Sequence, residues 1–308
     1  MDRLQSMRVF AKVVEQGSFA RAAQALEMSN TVVTRLLADL ETHLGTRLLN
    51  RTTRKLSLTE VGQLYLERVT HILADIDDAD ALASSAARTA SGTLRIYCHT
   101  SFGQSQLARL LPLYAQAMPD VVLDVTLAEG AVDLVERGFD IGILLGVQKF
   151  DATMIARRLA RSKLVLCAAP SYIAREGEPQ APLEVSDHAC LNFAIEQIRH
   201  SWPLAFDSDS SAKGEIPITA RMVSNSGVIL RAACLAGLGI MVRPSYTLED
   251  DLSSGRLVRL LKDHHLGVMP IDLVYPSRRL MSYKVRSFVD FMSGQFPHPE
   301  ADPWLEQL

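Results

Sequence analysis

Three helical hydrophobic periods crowd into the first 44 residues with only a few residues between them, and nothing else in the chain constrains its fold as strongly. Leu4, Met7, Phe10, Val13 and Val14 recur at helical spacing and stop at Gly17. Ser18 then caps "FARAAQALEM", whose alanines permit close helix approach, with Phe19, Ala22, Ala23 and Leu26 on its inner face. A tight turn at Glu27–Met28 leads to Ser29, an N-cap residue, and to a third helix with Val33, Leu36, Leu37 and Leu40 on one side. Two short helices joined by a brief turn predict a helix-turn-helix spanning Phe19 to Ala38.

The other face of the third helix carries Thr31, Thr34, Arg35 and Ala38, with Asn30 at the tip. A merely solvated face usually carries glutamates and lysines. A B-DNA major groove admits an α-helix and presents donors and acceptors on base edges. Asn suits adenine, Arg suits guanine, and Thr can bond either or place its methyl against thymine. Asn30, Thr31, Thr34 and Arg35 are therefore candidate base readers, with Ser29 and the positive end of the helix available to a phosphate. Downstream, "RLLNR" and "RKLSLT" pair as two short strands around Thr52–Thr53. They make a wing whose Arg51, Thr52, Thr53 and Arg54 grip backbone or a minor groove. Charge supports the division. Residues 1–58 hold nine Lys/Arg against five acids, a net +4, while the remainder holds 23 against 30, a net −7. A basic head on an acidic body is expected if only the head meets a polyanion.

From the N-cap candidate Thr59, Tyr65, Val69, Ile72, Ile76, Ala79 and Ala83 follow at alternating spacings of four and three. That seam predicts a linker helix over 59–88 that pairs with a second copy, an intramolecular core helix being the alternative. "RTASGT" at 88–93 reads as a hinge. Beyond it, strand-like runs ("TLRIYC", "VVLDVTL", "FDIGILLG", "KLVLCAAP", "GLGIMVRP", "IDLVYPS") alternate with helix-like ones. The alternation predicts parallel sheets with helices on both faces, arranged over 89–296 as two α/β lobes facing a cleft. The tail, 297–308, is expected to be mobile. The fold class is thus α then α/β.

Ligands of open α/β sheets bind at the carboxyl ends of strands. That rule selects Thr100, Ser101 and Phe102 after the first strand of the body, Leu145, Gly146 and Val147 after "FDIGIL", and Asn225 and Ser226 after "ARMV". Hydroxyls and amides there suit an anionic or hydrogen-bonding metabolite, and Phe102 would pack on an aromatic one. His99 beside them reads as a satisfied strand histidine ahead of a sensor of pH or ligand charge. Cys98, Cys167, Cys190 and Cys234 sit in apolar contexts without a CxxC pair, so buried thiols are expected. The eight histidines show no metal spacing. No Gly-rich nucleotide loop or GxSxG motif favours an enzyme. No run reaches the ~18 apolar residues of a membrane span. The opening "MDRLQSMRVFAKVVEQGSF" does not read as a signal peptide, so a cytoplasmic protein is expected. An architectural DNA binder without effector is the main rival, ahead of a small-molecule-binding protein or enzyme.

Residues 1–62, with "FAKVVEQGSFARAAQAL" before the turn and "LETHLGTRLLNRTTRKLSLTEVG" after it, resemble the winged helix-turn-helix of LysR-type transcriptional regulators. "SGTLRI", "VDLVERGFDIGI", "LCAAPSYIA", "GLGIMVRP" and "GRLVRLL" extend the resemblance toward residue 296. The resemblance implies a coiled-coil linker helix and a periplasmic-binding-protein-like domain holding a small-molecule effector between its lobes. It also implies a dimer of dimers on an interrupted palindrome in promoter DNA, with no further cofactor. Two stretches depart from the family. Asn30 and Thr34 stand where glutamine or proline and serine are common, so base preference does not carry over. "GILLG" at Gly142–Gly146 lacks an arginine that many relatives place near its third position, which leaves that loop without a carboxylate clamp.

Overall fold

The computed structural model describes residues 2–51, 56–83, 90–130, 132–146, 153–205, 213–277 and 281–305. The chain divides into two units, Met1–Thr89 and Ala90–Leu308.

In the first unit each helix starts on a side-chain cap. Asp2 accepts the Gln5 amide to begin α1 (Arg3–Gln16), Ser18 accepts the Arg21 amide to begin α2 (Phe19–Ala25), and Ser29 accepts the Val32 amide to begin α3 (Asn30–Leu44). Gly17 ends α1 at φ 59°, a left-handed conformation open to glycine. Val33, Leu36, Leu37 and Leu40 of α3 are buried with Phe10 and Val13 of α1 and Ala22 and Ala23 of α2 in one core. β1 (Leu49–Arg51) pairs antiparallel with β2 (Leu56–Leu58), placing Leu49 opposite Leu58. Thr52, Thr53, Arg54 and Lys55 of the expected wing lie outside the described residues.

Thr59 caps α4 (Glu60–Ala83): its hydroxyl oxygen accepts the Gly62 amide at 2.9 Å and its proton goes to the Arg47 carbonyl at 2.8 Å. Gly62 lets α4 lie against the wing, because a Cβ there would collide with the Leu48 carbonyl oxygen. Two positions of the expected pairing seam are covered within the single chain, Tyr65 against the head's own core. Val69 is fully buried, and the Tyr65 ring lies 5.7 Å from that of Phe10. Val61, Leu64 and Ile72 form the exposed apolar stripe. A period of 3.5 residues identifies an apolar seam without saying what covers it. The end of the expected linker, 84–88, lies outside the described residues.

The second unit opens with β3 (Gly92–His99), α5 (Thr100–Phe102), α6 (Ala108–Ala117), β4 (Val121–Ala128), α7 (Leu134–Arg137) and β5 (Ile141–Leu145). β3 pairs in parallel with both β4 and β5. Then come β6 (Met154–Ala168), α8 (Pro170–Glu176), β7 (Ala189–Phe193), the antiparallel pair β8 (Ser201–Ala205) and β9 (Lys213–Pro217), and β10 (Thr219–Ser224). α9 (Gly227–Leu235), β11 (Ile240–Pro244), α10 (Glu249–Ser253), β12 (Val258–Leu260), β13 (Val268–Pro276) and α11 (Tyr283–Gln295) complete it. Strand order is β10-β7-β11-β6-β13-β5-β3-β4, with β12 also on β6.

The expectation of parallel sheets holds for the outer strands and fails at the centre. β13 runs antiparallel to β5 and β6, and β11 and β12 run antiparallel to β6. The cause is the 15-residue β6, which serves both lobes: Met154 to Lys163 face β13, and Leu164 to Ala168 face β11 and β12. Each lobe has its own core, one around Ile96, Ile143 and Phe288, the other around Leu166, Trp202 and Ile240.

The tail is packed over its described residues. Trp304 is 4% exposed against Phe102 and Tyr246, and the Asp302 carboxylate accepts the Ser245 hydroxyl at 2.8 and 2.9 Å and the Lys163 amide at 2.6 Å. A proline-rich polar stretch reads as loose until its one tryptophan and one aspartate find a buried niche.

Candidate DNA-reading face and effector cavity

On α3 the residues opposite the core side are accessible: Ser29, Asn30, Thr31, Arg35 and Ala38 are exposed and Thr34 is half-buried. Thr34 donates its hydroxyl proton to the Asn30 carbonyl at 2.8 Å, which leaves its oxygen as an acceptor. Ser29 accepts the Val32 amide at 3.3 Å and keeps its own proton for another acceptor. Arg51 is the last residue of β1. The Glu41 carboxylate accepts the Leu48 and Leu49 amides at 2.9 and 3.1 Å, tying the far end of α3 to the start of the wing.

In the second unit a cavity of about 950 Å³ opens at the carboxyl ends of β3, β5, β7, β10 and β11. Thr100, Ser101, Leu145, Gly146, Asn225 and Ser226 line it, as the strand-end rule expects. Val147 lies outside the described residues. Phe102 is a correction. It is fully buried, packed edge-on against Tyr246 at 5.5 Å, and belongs to the core behind the wall. Successive residues of a helical turn face different sides, so with Ser101 on the cavity Phe102 points inward.

Ser101 is fixed by a relay of neutral groups. Its hydroxyl lies 2.6 Å from the Tyr246 hydroxyl and 3.0 Å from His99 Nδ1, which also accepts the Ser101 amide at 3.3 Å. Burial holds the His99 imidazole below its usual range and pushes the Tyr246 phenol up to about 12, so both are neutral near pH 7. Gln106 pins Tyr246 by donating to its carbonyl at 2.7 Å.

Arg243, the penultimate residue of β11, was missed by the sequence reading. It lines the cavity, its guanidinium carbon lies 4.8 Å from the centre of the Phe193 ring, and its buried Nε has no hydrogen-bond partner. The signal was available: "GIMVRP" puts one arginine at the end of an apolar strand, the position the strand-end rule favours. Among the described residues no group of three or more His, Cys, Asp or Glu side chains could hold a metal. The four cysteines are buried, and burial pushes the Cys98 and Cys190 thiols up. No described helix is long and apolar enough to cross a membrane.

Comparison with known proteins gives two family matches. Residues 4–63 match the helix-turn-helix of the lysR family of bacterial regulatory proteins, and residues 87–297 match the LysR substrate binding domain. The chain is 34% identical over 289 residues to the HTH-type transcriptional regulator CrgA of Neisseria meningitidis, covering 94% of this chain and 95% of that protein. The solved structure of CrgA superposes with a TM-score of 0.61 at 32% identity, covering 96% of this chain and 99% of that one. The full-length virulence activator AphB of Vibrio cholerae superposes with a TM-score of 0.60 at 27% identity, covering 95% and 99%.

Proposed function

Because this chain belongs to the LysR family of transcription regulators, DNA-binding proteins with an effector-binding domain and not enzymes, we propose that it reads promoter DNA through one face of α3 and is switched by a small molecule in the cavity of its second unit. The observation that supports it best is the polar face of α3, standing opposite a wholly buried one in a head whose residues 1–58 carry a net charge of +4. In this reading Asn30, Thr31, Thr34 and Arg35 contact base edges, and Ser29 donates to a phosphate. Arg51, Thr52, Thr53 and Arg54 hold backbone and so set register without spelling sequence.

Two copies pair through α4, and pairs assemble as a dimer of dimers over an interrupted palindrome in the cytoplasm. An effector acts by its differential affinity for two arrangements of that assembly. Thr100, Ser101, Leu145, Gly146, Asn225 and Ser226 form its site. Genome-wide footprinting identifies the operator, and variants then separate the roles. Arg35→Ala is expected to lose about 1–3 kcal/mol of discrimination at one base pair. Arg54→Ala is expected to weaken all sequences alike and to lower the salt slope by about one. Equal loss of discrimination in both variants would contradict the assignment.

A further inference from the structure

We propose that Arg243 anchors a carboxylate effector: its guanidinium, seated over the first residue of α9, takes the negative end of a small monoanion whose apolar body lies along the cavity wall. The inference rests on the reading of this cavity as the effector site and names the chemistry of its occupant.

Among the described residues three arginines line the cavity, Arg109, Arg231 and Arg243. Arg109 lies 2.5 Å from Asp250 and 3.3 Å from Glu249, and Arg231 makes two bonds to Asp251 at 2.5 and 2.6 Å. Those charges are met within the fold. Arg243 is 6% exposed, more than nine-tenths buried, its Nε has no hydrogen-bond partner, and no carboxylate among the described residues forms an ion pair with it, Glu129 acting on it only from beyond ion-pair distance. Buried charge is ordinarily paired, so a guanidinium kept this way is a recognition group in waiting.

The guanidinium is also held in place. The Phe193 ring supports it at 4.8 Å, and Gly227 makes its room: a Cβ at 227 would come within 2.5 Å of both terminal nitrogens. Gly227 opens the nine-residue α9, and Ser226 supplies no side-chain cap, so the leading amides of the helix keep their hydrogens for another acceptor. Guanidinium and helix terminus therefore present positive charge to the same spot. Burial pulls the Arg243 pKa down, consistent with a cation that gains from a bound anion.

A guanidinium edge matches the two oxygens of a carboxylate. Glu129, which also lines the cavity, disfavours a second negative group, and Ile195 and Val228 place exposed apolar side chains on the wall for the rest of the molecule. The loop "GILLG" lacks an arginine, and this one arrives from the opposite lobe.

The test is calorimetric titration of the full-length protein with acetate, hexanoate and phenylacetate, each against its primary amide, in carboxylate-free buffer. At least one acid is expected to bind, with its amide at least tenfold weaker. Arg243→Gln is expected to lose tenfold or more for the acid and to erase the acid–amide difference, and Arg243→Lys to recover part of it. Gly227→Ala, whose backbone φ is ordinary, is expected to behave like Arg243→Gln by displacing the guanidinium while remaining a good helix residue. Cooperative melting verifies that each variant is folded. No binding by any acid, or unchanged acid binding in Arg243→Gln, overturns the assignment. Val228→Trp, which narrows the cavity from an exposed position, separates the two failures. Amides that bind as tightly as acids and are lost in Val228→Trp overturn the role of Arg243 and leave the cavity as the effector site. Acids that bind Val228→Trp normally overturn the site itself.

Discussion

Glu41 fastens the wing to α3 with two hydrogen bonds from the Leu48 and Leu49 amides, and few side chains in the head hold so much geometry. Glu41→Ala leaves both amides without that acceptor and is expected to cost about 1–3 kcal/mol in a urea melt. Glu41→Gln, which keeps an acceptor oxygen, is expected to recover most of that loss. In the second unit burial makes His99 a pH-sensitive residue. Burial lowers its pKa, against an opposing pull from Glu129 and with a further push from Arg243. The unfolded chain thus binds a proton that the folded one refuses, and stability is expected to fall as pH drops below about 6.5. His99→Asn keeps an acceptor for the Ser101 amide and is expected to flatten that dependence in thermal melts between pH 5 and 8, on the order of the titration window itself. Glu41 does not stand out in sequence, and His99 reads first as a satisfied strand histidine. A glutamate near a helix end and a histidine in a strand are ordinary until their partners are seen.

At the scale of elements, α4 does two jobs on two faces. Tyr65 and Leu66 pack on the head's core, while Val61, Leu64 and Ile72 present an apolar stripe along the helix. Leu64→Lys with Ile72→Lys is therefore expected to yield monomers in sedimentation and to weaken operator binding by an order of magnitude or more, with head stability nearly unchanged because both positions are exposed. A monomer shift accompanied by unfolding of the head would contradict this division of faces. The helices and caps of the head were legible because capping residues and 3.6-residue periodicity act within a few residues. The strands were legible too, but their directions were not. β6 reads as one more apolar run, and its length and its sharing between lobes emerge only when β13 returns beside it.

In the molecule as a whole, the second unit is closed by its last residues. Trp304 packs among Phe102, Tyr246 and Phe296 directly behind the cavity wall that carries Ser101. Trp304→Ala is expected to cost about 3–5 kcal/mol and to lower the melting temperature of the effector-binding domain while leaving that of the head alone. An unchanged melt would mean the tail is dispensable. Sequence by itself determined the three-helix head, the face each helix buries, and the strand ends that border the cavity, since all of these follow from local periodicity and capping. Tertiary structure alone decided that Phe102 turns into the core, that the tail is packed, and that of the three cavity arginines among the described residues only Arg243 makes no ion pair. The reason is physical: which way a side chain points, and whether its charge is met, depends on groups far away in the chain that folding brings opposite it.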